Sequence, residues 1–309
     1  MEEVILQVKS LTKKFRKLMV FDNIDLDIKK GKILGIIGIS GSGKTTLLNT
    51  LVGFYRPTRG NVLFEGKRID REASEVKRHF GFATQNNSFY PKLTVKENLN
   101  YFGTLYGLPE SVIETNIQRI LPLLEMEKQK HIVAENLSGG MQKRLDLACA
   151  LINYPKILIL DEPTEDLDSR LRRDMIDLIK KVNQTGTTII ITSHLLWEME
   201  KLCDEIAILH NSKILKVGSI DELRELYTKN QEIYLEVASN NYDYIINHLG
   251  NLNVEKIIKA ESGLKIFTDN PEKIMQEIFS LVDNLNDRII EVEVRKPTLN
   301  EVFEQLTQA

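Results

Sequence analysis

A glycine-rich run near the start of the chain has the residue types and spacing needed to hold a phosphate group. Residues 38–45 read Gly-Ile-Ser-Gly-Ser-Gly-Lys-Thr and fit the pattern G-x-x-x-x-G-K-[ST]. Glycines let backbone N–H groups approach a phosphate closely, and a helix that follows adds unpaired donors and a partial positive charge. The lysine can reach the β- and γ-phosphates, and the threonine hydroxyl can bind Mg²⁺. The predicted nucleotide-binding residues are Gly38, Ile39, Ser40, Gly41, Ser42, Gly43, Lys44, Thr45 and Thr46.

Two adjacent carboxylates could act on that nucleotide. Asp161 and Glu162 directly follow the apolar run 157–160. If this run is a strand beside the phosphate loop, Asp161 lies near the magnesium ion and Glu162 near the attacking water. An ordinary glutamate is a weak base at pH 7, so we expect Glu162 to orient the water and to accept its proton late. An apolar run followed by Asp-Glu is alone typical of any strand end. Together with the glycine-rich loop it predicts nucleotide hydrolysis.

Alternating strand-like and helix-like segments must position these groups. Residues 4–8 and 25–28 have the pattern of half-buried strands, whereas 33–38 is a continuous apolar run, typical of a strand buried on both faces. The order of strand and then helix returns at 157–160 and 187–192. We therefore predict an α/β fold with a parallel central sheet.

A helical segment interrupts this alternation between about residues 89 and 150. Thr94 and Glu97 have the spacing of a capping box, in which a threonine and a glutamate satisfy each other's backbone N–H groups. The segment is predicted to be a helical subdomain inserted into the α/β domain, which we assign to residues 1–228.

The last part of the chain, residues 229–309, is predicted to be a separate small α+β domain. Its segments alternate in the order strand, helix, strand, strand, helix, strand, between about residues 232 and 294. This βαββαβ order is the ferredoxin-like pattern. A final helix is predicted at about 299–306.

Composition excludes several classes of protein. The formal net charge is −3, which gives no support to nucleic-acid binding. The first residues carry acidic side chains and lack the apolar core of a signal peptide, and no apolar run approaches the ~18 residues that cross a bilayer. Cys149 and Cys203 lie among apolar neighbours, which is typical of reduced core residues.

A second glycine pair selects among the many families that share a phosphate loop. Residues 137–144 read Leu-Ser-Gly-Gly-Met-Gln-Lys-Arg, and here the chain resembles the ABC (ATP-binding cassette) ATPases, whose signature begins Leu-Ser-Gly-Gly. The resemblance implies the P-loop NTPase fold, ATP and Mg²⁺ as ligands, and a partner cassette. In that family Ser138, Gly139 and Gly140 contact the γ-phosphate held by the opposite cassette.

The resemblance also implies roles for other positions. Phe15 would stack on adenine, Gln85 would sense the γ-phosphate and Mg²⁺ and face the membrane partner, and His194 would bond the γ-phosphate. Asp168 lies in the loop 164–168 that touches the other cassette. The implied catalytic residues are thus Glu162, His194 and Lys44, and the implied magnesium ligands are Thr45, Gln85 and Asp161.

Two residues depart from the family pattern. Met141 stands where a glutamine is common, and Asp166 stands where related exporters have glycine. The phosphate-contacting residues of the signature are intact, so we expect an active site.

Further stretches look like bacterial or archaeal exporters of the ABC-2 type. These are residues 93–99, 106–108, 218–223 and 297–303. The likeness implies a homodimer on the cytoplasmic face of a prokaryotic cell membrane, beneath separately encoded membrane permease subunits. Two alternatives stay open: a soluble ABC ATPase without a transport role, and a nucleotide-dependent regulator that does not hydrolyse ATP. The C-terminal domain is predicted to steady the dimer or to regulate hydrolysis.

Overall fold

The computed structural model describes residues 3–70, 76–227, 231–250, 252, 254–260, 262–295 and 298–308. Contacts divide the chain into two compact units, Met1–Ser219 and Ile220–Ala309. This division falls earlier than the domain boundary that we predict at residue 228, so the helix that follows Ser219 belongs with the second unit. Within the described ranges, no helix is both long and apolar enough to cross a membrane.

The first unit contains two sheets and a group of helices. Its main elements, in chain order, are β1 (Val4–Phe15), β2 (Leu18–Lys29), β3 (Ile33–Ile37), α1 (Lys44–Leu51), β4 (Arg59–Phe64), β5 (Lys67–Arg68), β6 (Phe80–Ala83), α2 (Val95–Leu105), α3 (Glu110–Leu123), α4 (Gly139–Leu151), β7 (Ile157–Asp161), α5 (Ser169–Gln184), β8 (Thr188–Thr192), α6 (Leu196–Leu202), β9 (Glu205–His210) and β10 (Lys213–Gly218).

The central sheet has the strand order β10-β9-β3-β8-β7-β6. Strands β9, β3, β8, β7 and β6 are parallel, and β10 pairs antiparallel with β9. Every residue of β3, β7 and β8 is buried, which explains their continuous apolar composition. The predicted parallel sheet is confirmed. Because β8 lies between β3 and β7, the loops that follow these three strands emerge side by side.

A second sheet, β2-β1-β4-β5, is antiparallel throughout. Its strands β1 and β2 are longer than the half-buried stretches 4–8 and 25–28 that the sequence indicates, because they continue into a tight hairpin. Arg16 in that hairpin has a φ of 54°. One hydrophobic core joins this sheet, α1 and the central sheet.

The helical subdomain contains α2, α3 and α4, which pack against one another. The predicted capping box is confirmed: Glu97 N donates to Thr94 Oγ1 (3.2 Å) and Thr94 N donates to Glu97 Oε2 (2.7 Å). The backbone N–H and the hydroxyl of Thr94 both donate to Glu97 Oε2 and lower the pKa of Glu97. Cys149 on α4 and Cys203 after α6 are buried free thiols, as expected, and burial raises the pKa of both.

The second unit has the predicted ferredoxin-like topology. Its elements are α7 (Ile220–Tyr227), β11 (Gln231–Val237), α8 (Asp243–Leu249), β12 (Lys256–Lys259), β13 (Leu264–Thr268), α9 (Pro271–Asn284), β14 (Ile289–Arg295) and α10 (Leu299–Gln308). The strand order is β12-β13-β11-β14, and all pairs are antiparallel. Helices α8 and α9 pack on one sheet face through a core that includes Ile233, Leu235 and Ile278. Helix α10 contacts α7.

Candidate functional site

The glycine-rich loop connects β3 to α1, as predicted, and its shape requires glycine. Gly43 caps α1 with a φ of 101°, and a Cβ atom there would lie 2.7 Å from Val20 Cγ1. At Gly38 a Cβ atom would lie 2.5 Å from the carbonyl oxygen of Leu209. These approaches are too close for any side chain, so the loop backbone can pack tightly only with glycine at both places.

Lys44 points back over this loop. Its Nζ donates to the carbonyl oxygens of Gly38 (2.9 Å) and Ile39 (3.3 Å) and lies 3.7 Å from Glu162 Oε1. Lys44 is only 8% exposed. A buried ammonium group needs a counter-charge, and Glu162 is the carboxylate that supplies it here. The loop therefore holds a desolvated positive charge beside the free backbone donors of α1.

Two polar groups of the loop are suited to a phosphate and its metal ion. The buried Ser42 Oγ has no hydrogen-bond partner in the described part of the chain. Buried hydroxyl groups normally have a hydrogen-bond partner, so the Ser42 hydroxyl is available to donate a hydrogen bond to a bound phosphate. Thr45, in the first turn of α1, is exposed. The loop residues thus fit a phosphate group.

Glu162 lies directly after β7 in a strained backbone conformation. Its φ is 51°, a left-handed conformation that is uncommon for a residue other than glycine. Its backbone N donates to the carbonyl oxygen of Thr192 (3.2 Å) at the end of β8. Glu162 Oε2 lies 2.9 Å from His194 Nδ1 and accepts from His194 N (3.3 Å). The structure therefore joins Lys44, Glu162 and His194 in one cluster.

Thr192 is a site residue that sequence reasoning missed. Its fully buried hydroxyl donates to Asp161 Oδ1 (2.6 Å) and accepts from the backbone N of Glu162 (3.1 Å). One side chain from β8 thus orients the Asp161 carboxylate at the end of β7 and holds the backbone of Glu162, the next residue. A threonine that ends a fully apolar strand beside a strand that ends in Asp-Glu is the signal that could have pointed to it.

Gln85 lies after β6, beyond β7 in the sheet. Its side-chain Nε2 donates to Glu165 Oε2 (2.6 Å), and its carbonyl oxygen accepts from Lys143 Nζ (2.9 Å). Among the described residues, no hydrogen bond joins Gln85 to Lys44 or to Asp161. Its predicted contact with Mg²⁺ stays a prediction.

The signature residues form a second helix start, at α4. Ser138 is the N-cap, and its hydroxyl accepts from Met141 N (3.4 Å). A Cβ atom on Gly139 would meet nothing within 4 Å, whereas one on Gly140 would lie 3.0 Å from Leu171. In the described part of the chain, no hydrogen bond connects Ser138, Gly139 or Gly140 with the glycine-rich loop. The predicted contact of Ser138, Gly139 and Gly140 with a γ-phosphate stays a prediction.

Comparison with known proteins gives two family matches. The family model "ABC transporter" matches residues 21–165, and the model "ATP-binding protein DrrA1-3-like, C-terminal domain" matches residues 218–307.

The chain is 28% identical to the linearmycin resistance ATP-binding protein LnrL of Bacillus subtilis, over 98% of both chains. It is 34% identical to the Nod factor export ATP-binding protein I of Ralstonia nicotianae, over 71% of this chain and 68% of that one. The dimeric structure of MJ0796, a bacterial ABC transporter cassette, aligns with a TM-score of 0.63 and 27% identity, over 70% of this chain and 99% of that one.

The chain belongs to the ABC transporter ATP-binding proteins. Proteins of this family bind nucleotide and hydrolyse ATP to power transport. Cassettes of the family dimerise and act with membrane subunits. The resemblance stated from the signature and the P-loop is confirmed, as is the ABC ATPase fold.

The cassette places two further predicted residues at its surface. Asp168 is the N-cap of α5, where Oδ1 accepts from the backbone N of Leu171 (3.0 Å) and Arg170 (2.9 Å); these bonds lower its pKa. Asp166 has a φ of 63°. That conformation favours glycine but is tolerated by aspartate, so the departure at Asp166 keeps a backbone shape that glycine would adopt.

Phe15 ends β1 and is 41% exposed. Its ring packs edge-to-face on Tyr55, with 5.4 Å between centroids, and Lys13 Nζ lies 4.5 Å from its centroid. The ring is thus held by a second aromatic side chain and covered by a cation. Its predicted stacking on adenine stays a prediction.

Proposed function

We propose that two copies of this cassette close around two Mg-ATP molecules and drive export through separately encoded ABC-2 type permease subunits. The cassette would act at the cytoplasmic face of a prokaryotic cell membrane. The likeness to LnrL, which extends over 98% of both chains and includes the C-terminal domain, supports the exporter assignment. We also propose that the C-terminal domain, residues 229–309, steadies the dimer or regulates hydrolysis.

The single observation that carries hydrolysis is the contact network around Glu162. The carboxylate is 8% exposed and lies 3.7 Å from Lys44 Nζ and 2.9 Å from His194 Nδ1. A fixed carboxylate beside a lysine that binds the outer phosphates can orient the attacking water in line with the γ-phosphate. We assign the hydrogen bond to the γ-phosphate to His194, which contacts the same carboxylate.

Oxygen ligands for the magnesium ion are at hand. Thr45 and Asp161 offer a hydroxyl and a carboxylate, the hard donors that Mg²⁺ prefers, and we assign Gln85 as the third protein ligand. When bound, Mg²⁺ neutralises charge on the phosphates. Thr192 orients Asp161 for that role through its 2.6 Å bond.

The dimer follows from the second helix start. Gly139 faces open space at the beginning of α4, where unpaired N–H groups and the helix dipole favour an anion. Because no hydrogen bond joins this surface to the P-loop among the described residues of its own chain, we assign its phosphate to a second copy. Asp168 would lie at the contact between the cassettes.

A non-hydrolysing regulator and a soluble ABC ATPase without a transport role are the alternatives. The intact cluster of Lys44, Glu162 and His194 favours hydrolysis over the first. The near-neutral charge and the full-length likeness to LnrL favour transport over the second.

The test compares wild type with Glu162→Gln by phosphate release and by light-scattering mass in Mg-ATP. We expect the variant to lose ATP hydrolysis by roughly 10²- to 10⁴-fold and to accumulate as an ATP-bound dimer. Asp177→Asn, an exposed change on α5, should behave as wild type. Wild type that binds ATP without hydrolysis or dimerisation would favour the regulator, and salt-sensitive binding to nucleic acid would favour the soluble ATPase.

A further inference from the structure

A buried carboxylate outside the cluster described above connects two of its parts. Glu198 lies in the first turn of α6 and is 1% exposed. A buried charge is costly unless it is paired and hydrogen-bonded, so its partners show what the fold uses it for.

Those partners come from three segments that are distant in sequence. Glu198 Oε2 accepts from Thr164 Oγ1 (2.6 Å) and from Ser193 Oγ (3.3 Å). Arg172 Nε on α5 lies 3.1 Å from Glu198 Oε1, as an ion pair. Arg172 also donates from Nη2 to the carbonyl oxygen of Leu167 (3.0 Å). The carboxylate and its arginine therefore hold the loop 164–168 at both ends.

The same carboxylate holds the backbone around His194. Ser193 directly precedes this histidine, is 1% exposed, and accepts from the backbone N of Leu195 (3.0 Å) through its hydroxyl. Both residues that flank His194 are thus tied to one hydroxyl group, and that hydroxyl donates to Glu198. Since His194 contacts Glu162 through its backbone N and Nδ1, a shift of this turn would move the histidine off the catalytic carboxylate.

Stability alone does not account for this arrangement. Replacing a buried ion pair with apolar residues is often neutral or stabilising, so a buried pair is weak evidence for a stabilising role. Every polar contact of Glu198 goes instead to a segment that adjoins a proposed site residue. Burial raises the pKa of Glu198, while the Thr164 hydroxyl, the Arg172 charge and the Ser193 hydroxyl act to lower it. These three partners are all donors or cations, so each favours the carboxylate form.

We propose that Glu198 is a positioning residue that links His194 to the loop 164–168. Through Glu198, the position of His194 and the position of the loop 164–168 are coupled. The contact of His194 with the γ-phosphate and the contact of Asp168 with the second cassette therefore depend on each other. This inference rests on the proposed dimer and on the proposed roles of Glu162 and His194.

The test uses the full-length protein and four variants: Glu198→Ala, Glu198→Gln, Thr164→Val and the control Glu232→Gln. Glu232 is a comparable carboxylate in the second unit, 7% exposed, with Lys265 Nζ 3.1 Å from its Oε1. We expect Glu198→Ala to lower kcat for ATP by roughly 10- to 100-fold, since small misplacements of catalytic groups have effects of this size. KM for ATP should change by less than about threefold, because the P-loop contacts are untouched.

The two conservative variants, Glu198→Gln and Thr164→Val, test whether Glu198 acts by positioning its neighbours. Glu198→Gln keeps an oxygen acceptor for Thr164 and Ser193, and should recover most of the lost kcat. Thr164→Val removes one hydrogen bond at nearly constant volume, and should lower kcat by about three- to tenfold, as the loss of a bond worth about 1 kcal/mol predicts. In a Glu162→Gln background, Glu198→Ala should reduce the ATP-bound dimer fraction. Glu232→Gln should match wild type.

Two results would overturn the proposal while leaving the proposed function intact. One is a kcat for folded Glu198→Ala within about threefold of wild type; the other is an unchanged dimer fraction in the Glu162→Gln background. If Glu198→Ala does not fold, Thr164→Val decides, and wild-type kcat in that variant would refute the link. Absence of hydrolysis and of a trapped dimer in wild type and Glu162→Gln would instead refute the proposed function.

Discussion

The cassette contains two helices, α1 and α4, that begin at glycine-rich segments, and the residues around these two helix starts differ. Helix α1 begins at Lys44 after Gly43, without a side-chain cap, beside the buried Lys44–Glu162 pair. Helix α4 begins at Gly139 after a serine cap, and Gly139 faces open space. Both offer unpaired N–H groups and a partial positive charge.

The difference shows how the work of one site is divided. The α1 start has the lysine, the carboxylates and His194 around it and can hold a nucleotide within one chain. The α4 start has none of these, so it can contribute only hydrogen-bond donors and the partial positive charge of the helix. Under the proposed function, the first start binds ATP and the second completes the site from the opposite copy.

The largest expected effect comes from removing the lysine of the α1 start. Lys44→Ala deletes the ammonium group that reaches the outer phosphates, and we expect ATP hydrolysis to fall by roughly 10³-fold or more. The affinity for ATP, measured by calorimetry on the isolated chain, should fall by at least about tenfold, since a charge-assisted hydrogen bond contributes about 1.5–3 kcal/mol. Unchanged ATP affinity in a folded variant would show that α1 is not the nucleotide site.

The next effect comes from the α4 start. Gly139→Asp places a negative charge where the proposed dimer brings the γ-phosphate, and the new Cβ atom meets nothing within 4 Å, so the fold should persist. We expect hydrolysis to fall by roughly 10²- to 10³-fold, while the ATP affinity of the isolated chain changes by less than about twofold.

Gly139→Ala is the matched control for that prediction, because it adds a methyl group to the same open space without a charge. It should keep most of the activity. A loss of ATP affinity in Gly139→Asp would contradict the proposed difference between the two helix starts, since it would mean that α4 takes part in ATP binding within one chain.

The sequence predicts the central sheet well and the antiparallel sheet poorly, for a physical reason. Strands β3, β7 and β8 are buried on both faces, so each is an apolar run that stands out from its neighbours. Strand β1 ends at Lys14 and the exposed Phe15, and β2 begins at the exposed Leu18 and the half-buried Met19 and Val20, on either side of the hairpin at Arg16. Their alternation is therefore too weak to mark where they end.

The motif residues that the structure brings together, Lys44, Glu162 and His194, stand out in the sequence because each follows closely after a buried apolar strand. Thr192 and Glu198 do not, because each acquires its role only when separate strands and helices converge. Glu198 meets Thr164 and Arg172 across α5 and α6, and nothing in its own segment distinguishes it from an ordinary helix residue. Positions of this kind become visible only in three dimensions.

A further buried carboxylate, Asp146, connects the signature helix α4 to the segment that contains Gln85 and Ser88. Asp146 lies on α4, the helix that begins at Gly139, and its Oδ1 accepts from the backbone N of Ser88 (2.6 Å). Lys143, on the same helix, donates to the carbonyl oxygen of Gln85 (2.9 Å). The signature helix is thus bonded to the loop of Gln85, and burial raises the pKa of Asp146 from 3.8 to about 6.

The smallest expected effect is a pH dependence of stability that Asp146→Asn removes. The folded-state pKa is the higher one, so the contribution of Asp146 to the unfolding free energy is full below about pH 4 and declines as pH rises through about 6. The loss amounts to at most roughly 3 kcal/mol, from 1.36 kcal/mol per pKa unit. Urea unfolding followed by fluorescence of Trp197, the single tryptophan of the chain, reports on the first unit. The stability of Asp146→Asn relative to wild type should increase from pH 4.5 to pH 7.5, whereas a constant difference would mean that burial does not raise the pKa of Asp146.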